Sequence, residues 1–204
     1  VTGKTHMMIG TAAGIATVIN FPMESGIILI GCSIFGSLVP DVDHPKSKLN
    51  QKILPVQNKF FKVFVYLLIG AGLLYLETKI NSQALRILGI TLIITGLSQH
   101  RGFTHSILGL IFYTSAVYLA VMQYGIKEAE EIYIGFAIGY ISHLLADFMT
   151  KGGIPIFYPF GKNISFPIAI KTGGVLEKII LLGTGIYSVY TLLEHINLKN
   201  LLGV

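Results

Sequence analysis

Ser106-Ile107-Leu108-Gly109-Leu110-Ile111-Phe112-Tyr113-Thr114-Ser115-Ala116-Val117-Tyr118-Leu119-Ala120-Val121-Met122 contains no charge, and His100-Arg101-Gly102-Phe103-Thr104-His105 stands directly before it. The apolar run approaches the ~20 residues that carry a helix across a bilayer. Working outward, six more apolar and nearly charge-free runs appear, at Met7–Ile19, Gly26–Val39, Phe61–Leu76, Leu85–Leu97, Ile132–Phe148 and Val175–Leu193. The shortest, taken alone, would also suit core helices of a soluble protein. Seven together, with short polar breaks, read as a compact bundle of short or tilted spans.

Composition points the same way. Of 204 residues, 52% are hydrophobic and 12% charged, and the mean hydropathy is +0.70. A soluble domain carries about a quarter charged residues, so these are too few to form its polar shell. Inside lipid an open strand leaves backbone groups unsatisfied. The expected fold is therefore all-α: one polytopic membrane domain, residues 1–204, of six to seven short transmembrane helices. Lys4 before the first run resembles the start of a signal peptide, but His6 is needed as a ligand, so the run is kept as part of the mature bundle. Cys32, the single cysteine, excludes a disulfide framework and a cysteine-based zinc site and reads as a small core residue.

Threading each run across the membrane in turn sorts the loops onto two faces. The first face receives Lys4, Lys46, Lys48, Lys52, Lys59, Lys62, Arg101, Lys151, Lys162 and Lys171, with the Asp41–Lys59 and Lys151–Gly174 loops. The second receives Lys79, Arg86, Lys127 and Lys199, most of the acidic residues, His195, and the turns at residues 20–25 and Glu77–Ala84. Positive charge accumulates on cytoplasmic loops, so the first face is expected to be the cytoplasmic side of the plasma (inner) membrane. Topology and anionic headgroups account for the formal charge of +5. No nucleic-acid-binding pattern is present, and no nucleic-acid partner is expected.

The same threading brings His6, Asp41, Asp43, His44, His100, His105, His143 and Asp147 to the cytoplasmic face. His143 and Asp147, four apart, share one side of a helix. Asp41 and Asp43 flank one residue, and an extended stretch would point both the same way. Gly102 lets the chain turn so that His100 and His105 reach one centre. Imidazole and carboxylate without thiolate suit divalent zinc, manganese or iron, with magnesium possible at a carboxylate-rich position. Eight donors exceed the needs of one tetrahedral ion, so two or three metals are expected. Each residue alone also has an ordinary reading: a helix-packing hydrogen bond for His6, an ion pair for His143 and Asp147, a helix cap for Asp41–His44. His195 reads as a surface residue.

Thr5-His6, Pro40-Asp41-Val42-Asp43-His44, His100-Arg101-Gly102-Phe103-Thr104-His105-Ser106, His143-Leu144-Leu145-Ala146-Asp147, Gly153-Ile154-Pro155 and Tyr158-Pro159-Phe160 together resemble the LexA-regulated, inner-membrane YdjM-like group of metal-dependent hydrolases. Over most of the chain, that resemblance implies a membrane-bound hydrolase. The group is distantly similar to zinc-dependent phospholipase C and P1 nuclease, helical enzymes with trinuclear zinc centres. Phosphoester cleavage is then the favoured chemistry. Those relatives also use an N-terminal amine as ligand, a role not assigned to Val1.

On this reading the eight residues share the metals, which activate water for attack on phosphorus. Asp43 is a candidate general base. Arg101 is a candidate phosphate clamp or an orienting partner of a ligand. Glu177 is a candidate ligand or base, or an acid favoured by its helix start. The 151–174 loop is a lid or an aromatic-anchored interfacial loop, with Lys151 and Lys162 attracting phosphate. A membrane lipid or lipid-linked phosphate follows as substrate from the site's position. The competing readings are a divalent metal-ion transporter, which needs polar residues on both sides of the midplane; a membrane protease, disfavoured by the missing His-Glu-x-x-His; and a non-catalytic metal-binding protein.

Overall fold

A computed structural model describes residues 1–18 and 21–202, with the side chains of Met23 and 195–202 left undescribed. The readings of His195 and Lys199 as surface charges therefore lie outside the described residues, as does residue 20 in the first turn. The chain runs through α1 (Gly3–Val18), α2 (Met23–Gly36), a 3-10 turn (Val39–Asp43), α3 (Asn50–Ile53), α4 (Lys59–Ile80), α5 (Gln83–Leu97), a second 3-10 turn (Phe103–His105), α6 (Ile107–Gln123), α7 (Ala129–Phe148) and α8 (Val175–Leu202). Over its described residues, each of the seven apolar runs is helical for most of its length. Among the described residues, extended structure is limited to isolated bridges, Thr150 with Ile170 and Ile154 with Ile164.

Helix limits differ from the apolar runs at several ends. Asn58 caps α4 by accepting from Phe61 N at 2.7 Å, and Asn81 ends it in the left-handed conformation, φ 52°. Backbone pairing continues past the first charge into the interface, so the expected turn Glu77–Ala84 shrinks to Asn81 and Ser82. Conversely, α2 stops at Gly36 and the chain tightens into the 3-10 turn, where Pro40 sits at the start and its missing N–H costs no internal bond. Glu24–Asp43, Lys59–Ile80 and Val175–Glu194 are long and apolar enough to cross a membrane, and α5 and α6 are shorter apolar helices. Their outward faces carry large apolar side chains such as Phe64 and Ile186, which suits a lipid surrounding.

Small residues set the packing that positions the site. A Cβ on Gly139 of α7 would come within 1.9 Å of the Ser33 carbonyl oxygen on α2, so only glycine permits this approach of two helices. On the other face of α2, Ser33 Oγ donates to Gly10 O of α1 at 2.7 Å. The three helices α1, α2 and α7 thereby form one tight unit, and α8 lies against α1. The α4–α5 hairpin joins through α6. Between these halves lies an apolar core that includes Val39, Val42, Phe103, Tyr113, Phe136 and Tyr140. Cys32 on α2 is half-buried beside Gly135 of α7.

Candidate metal centre

The helix ends that meet at one end of the bundle carry the sequence-predicted ligands. His6 comes from the first turns of α1, Asp41 and Asp43 from the 3-10 turn after α2, and His100 and His105 from the α5–α6 connection. His143 and Asp147 lie on the last turns of α7. Two groups of three donors form. His6, His143 and Asp147 make an inner group of wholly buried residues. Asp41, His100 and His105 make an outer group, with Asp41 half-buried and His100 exposed. Within each group the donor atoms lie within 4.8 Å of one another.

The groups touch. His143 Nε2 and His105 Nε2 are 3.2 Å apart. Asp147 reaches across both, with Oδ1 3.3 Å from His6 Nε2 and Oδ2 3.5 Å from His105 Nε2. Asp41 Oδ1 lies 3.7 Å from His105 Nε2 and 3.8 Å from His143 Nε2. The His6 and His143 rings stack, centroids 3.7 Å apart. His143 Nδ1 is held by Ser37 O at 2.7 Å, a direct product of the α2–α7 contact. That bond fixes the tautomer in which Nε2 presents its lone pair to the cluster. Both ring nitrogens of His6 are buried with no hydrogen-bond partner.

The extended geometry expected for Asp41-Val42-Asp43 is not found. The segment is a 3-10 helix, in which residues two apart do not share a face. Asp41 accordingly faces the Nε2 side of His105, whereas Asp43 faces its Nδ1, 3.3 Å away. Asp43 is surrounded by donors: His100 Nδ1 at 2.9 Å, Arg101 N at 2.9 Å and Thr104 Oγ1 at 2.8 Å. Arg101 takes a left-handed φ of 58°, a strained setting for a residue with a Cβ, and that conformation aims its N–H at Asp43. Its guanidinium lies 3.2 Å from Asp147 Oδ2 and donates to Thr150 Oγ1 and to Gly153 O. A Cβ on Gly152 would fall 2.0 Å from Arg101 Nη1, so that glycine makes room for the guanidinium.

Burial opposes a charged His105, but Asp43, Asp41 and Asp147 outweigh it and push the imidazole up to about 9. Burial and the neighbouring His100 lower His44. His44 lies outside both groups. Its Nδ1 accepts from Lys46 N at 3.2 Å, and it lines a cleft of about 220 Å³ with Asp41, His100, Lys46 and Lys48. Glu177 also belongs to neither group. Its Oε1 accepts from Thr2 N and Thr5 Oγ1, and its Oε2 from Gly173 N, so it ties the start of α8 to the segment bearing His6. The 151–174 loop folds back on α7 through Phe166 N to Phe148 O and Ile170 N to Met149 O, leaving Phe157 and Phe160 exposed.

Sequence reasoning missed three contributors. Thr104 supports Asp43. The Val1 nitrogen donates to Asp147 Oδ1 at 2.6 Å. Lys62, 2% exposed, donates to the carbonyls of Asp43, Thr95 and Ser98, which pins the first ligand segment to the end of α5. A lysine at the second position of the apolar run Phe61–Leu76 is a legible signal, beyond its place among the charges of the first face.

Fold and site define a multi-pass helical membrane protein whose histidines and aspartates converge at one end of the bundle. The chain belongs to the YdjM inner membrane protein family, which matches it over residues 1–201. It is 27% identical over 163 residues to Inner membrane protein YdjM of Escherichia coli (strain K12), covering 79% of this chain and 65% of that one. The Shigella flexneri protein of the same name gives the same figures. Uncharacterized protein YvsG of Bacillus subtilis (strain 168) is 26% identical over 191 residues, 93% of this chain and 92% of the relative. The chain thus spans just under two thirds of the length of the two YdjM proteins. No solved structure matches.

Proposed function

We propose that this chain is a metal-dependent hydrolase of the inner membrane, a bundle of six to seven crossings that cleaves a phosphoester of a lipid or lipid-linked substrate at the cytoplasmic face. The observation that carries the reading is His6. A buried imidazole without a hydrogen bond is costly, and a cation shared with His143 and Asp147 removes that cost at the ring nitrogen it binds. His6, His143 and Asp147 would hold one ion, and Asp41, His100 and His105 a second. The donor set suits zinc, with manganese or magnesium as the harder alternatives. Such ions, when bound, supply Lewis acidity and lower the pKa of water.

The protein's own residues divide the remaining work. Asp43 orients His100 and His105 from behind, as carboxylates commonly do for histidine ligands, in place of ligating or acting as the base. Glu177 fixes the His6 segment through Thr2 and Thr5. Arg101 balances Asp147 and has further N–H groups for a phosphate oxygen. The cleft beside Asp41 and His100 carries Lys46 and Lys48, which favours an anionic ester.

The test is to purify the protein in mild detergent, supply zinc or manganese, and count bound metal by elemental mass spectrometry beside Asp147→Ala and His105→Ala. The expected result is two or more ions per chain, with near-complete loss in Asp147→Ala and partial loss in His105→Ala. Release of phosphate or a phosphorylated headgroup from phospholipid vesicles should then depend on the metal. A protein that stays metal-free after supplementation, with variants indistinguishable from it, overturns the reading.

A further inference from the structure

Behind the metal-site segment lies a second cavity, of about 390 Å³, bounded by α2, α5, α6 and α7. Its walls include Val39, Val42, Leu92, Ala116, Val117 and Phe136. Of the three tyrosines on its wall, the two deeper ones turn their hydroxyls into the protein, Tyr66 Oη donating to Asn50 Oδ1 at 2.8 Å and Tyr113 Oη pairing with Thr95 Oγ1 at 2.9 Å, while Tyr124 stands exposed at the rim. What faces the space is therefore hydrocarbon, and such a cavity does not hold ordered water.

Its length and position select the occupant. On α6 the lining runs from Tyr113 to Tyr124, roughly 16 Å at 1.5 Å per residue. That is about half of a ~30 Å hydrocarbon core, the reach of a lipid tail in one leaflet. At its cytoplasmic end the cavity meets the 3-10 turn that carries the aspartates. Val39 and Val42, three apart and eclipsed in a 3-10 helix, face the cavity, whereas Asp41 lines the polar cleft on the other side. One turn of chain thus separates a hydrocarbon space from a cleft with two lysines and two candidate metal ligands.

We infer that the cavity bounded by α2, α5, α6 and α7 binds one hydrocarbon tail of a membrane lipid, placing that lipid's headgroup linkage in the Asp41–His100 cleft. The inference deepens the proposed hydrolase reading and rests on it for the orientation of the lipid. Tail binding itself needs no metal.

The experiment uses the full chain in nanodiscs of phosphatidylglycerol and phosphatidylethanolamine, containing a phospholipid with a diazirine on its acyl chain. After photolysis, crosslinked peptides are mapped by mass spectrometry, with and without added zinc. Crosslinks should concentrate on residues 84–92 and 113–120, above the level on the lipid-facing surface of α8. Each methylene displaced from an apolar site costs about fourfold in affinity, so Ala116→Phe should lower the cavity crosslinks at least tenfold. Ala120→Phe gives an independent block if Ala116→Phe fails to fold, and Ile186→Phe on the exposed face of α8 should leave them unchanged. Metal content should stay as in the parent for all three. Crosslinks spread evenly over α4, α6 and α8, or cavity crosslinks undiminished by either filling variant, overturn the tail site. A protein that stays metal-free after zinc is added, yet crosslinks at the cavity, defeats the hydrolase reading and leaves the tail site standing.

Discussion

At the end of the bundle where α4 meets α5, polar side chains are matched donor to acceptor. Ser82 caps α5 by accepting from Leu85 N, and its Oγ donates to Gln123 Oε1 at 2.7 Å. Arg86 pairs with Glu77. At the opposite end the side chains are more deeply buried, and their nitrogen and oxygen atoms face one another: His105 and His143 meet Nε2 to Nε2, Asp41 and Asp147 close around them, and neither ring nitrogen of His6 has a hydrogen bond. Each group at the first end stabilises its neighbour. The second end collects electron pairs that Arg101 and the Val1 nitrogen offset only at Asp147, leaving the imidazoles and Asp41 to protons or a further cation. Polarity inside a membrane protein is therefore a weak mark of function by itself, and the pattern of satisfaction is the sharper one.

The largest expected departure from that contrast comes from weakening the frame behind the ligands. Asp43→Asn keeps the volume but cannot accept from His100, Arg101 and Thr104 as a carboxylate does. Loss of such an orienting partner costs about 10–100-fold in metal affinity. Titration with zinc against a competing chelator should show this weakening with the stoichiometry at saturation retained. A lowered stoichiometry would instead make Asp43 a direct ligand, and an unchanged affinity would break the comparison at its strongest point.

A smaller effect, graded by pH, comes from His105. Its pKa rises from an ordinary 6.5 to about 9 in the folded metal-free chain. A raised folded value stabilises the protonated fold. That contribution is full below pH 6.5 and disappears as pH climbs through about 9. Metal must displace the proton, so apparent affinity should rise about tenfold per pH unit across this window and level off above it. Thermal melts should show the metal-free protein losing stability from pH 7 to 9.5 while the metal-loaded protein gains relative to it. Should the two curves run parallel, His105 does not exchange a proton for metal.

Much of this contrast was legible in the chain. Apolar, nearly charge-free runs such as Ser106–Met122 marked every long helix, because in lipid the backbone has no alternative to internal pairing. Threading them gathered the ligands at one end. What escaped was direction at short range. Asp41-Val42-Asp43 has the spacing of a strand, yet Pro40 and the end of α2 tighten it into a 3-10 turn, and the two carboxylates part. Glu177 stood at the right depth but is bound by Thr2, Thr5 and Gly173, partners far off in sequence. His44 sits beside the ligands in the chain and at the rim of the cleft in space. Sequence places a residue at a level of the membrane, whereas its facing is decided by helix contacts such as Gly139 against Ser33.

The smallest effect belongs to the matched end and serves as its control. Ser82→Ala removes both the cap on α5 and the donor to Gln123, and loss of a serine cap costs about 0.5–2 kcal/mol. The cost should appear as a modest fall in the midpoint of thermal unfolding in detergent. Metal stoichiometry and affinity should be those of the parent, because α5 reaches the cluster only through its other end, where Lys62 gathers the Thr95 and Ser98 carbonyls. If Ser82→Ala also weakens metal binding, the two ends are mechanically coupled along α5, and the separation between a matched scaffold and an unmatched site does not hold. If it changes stability alone, polar groups at the two ends of one bundle perform distinct tasks, distinguished by whether the protein itself completes their bonding.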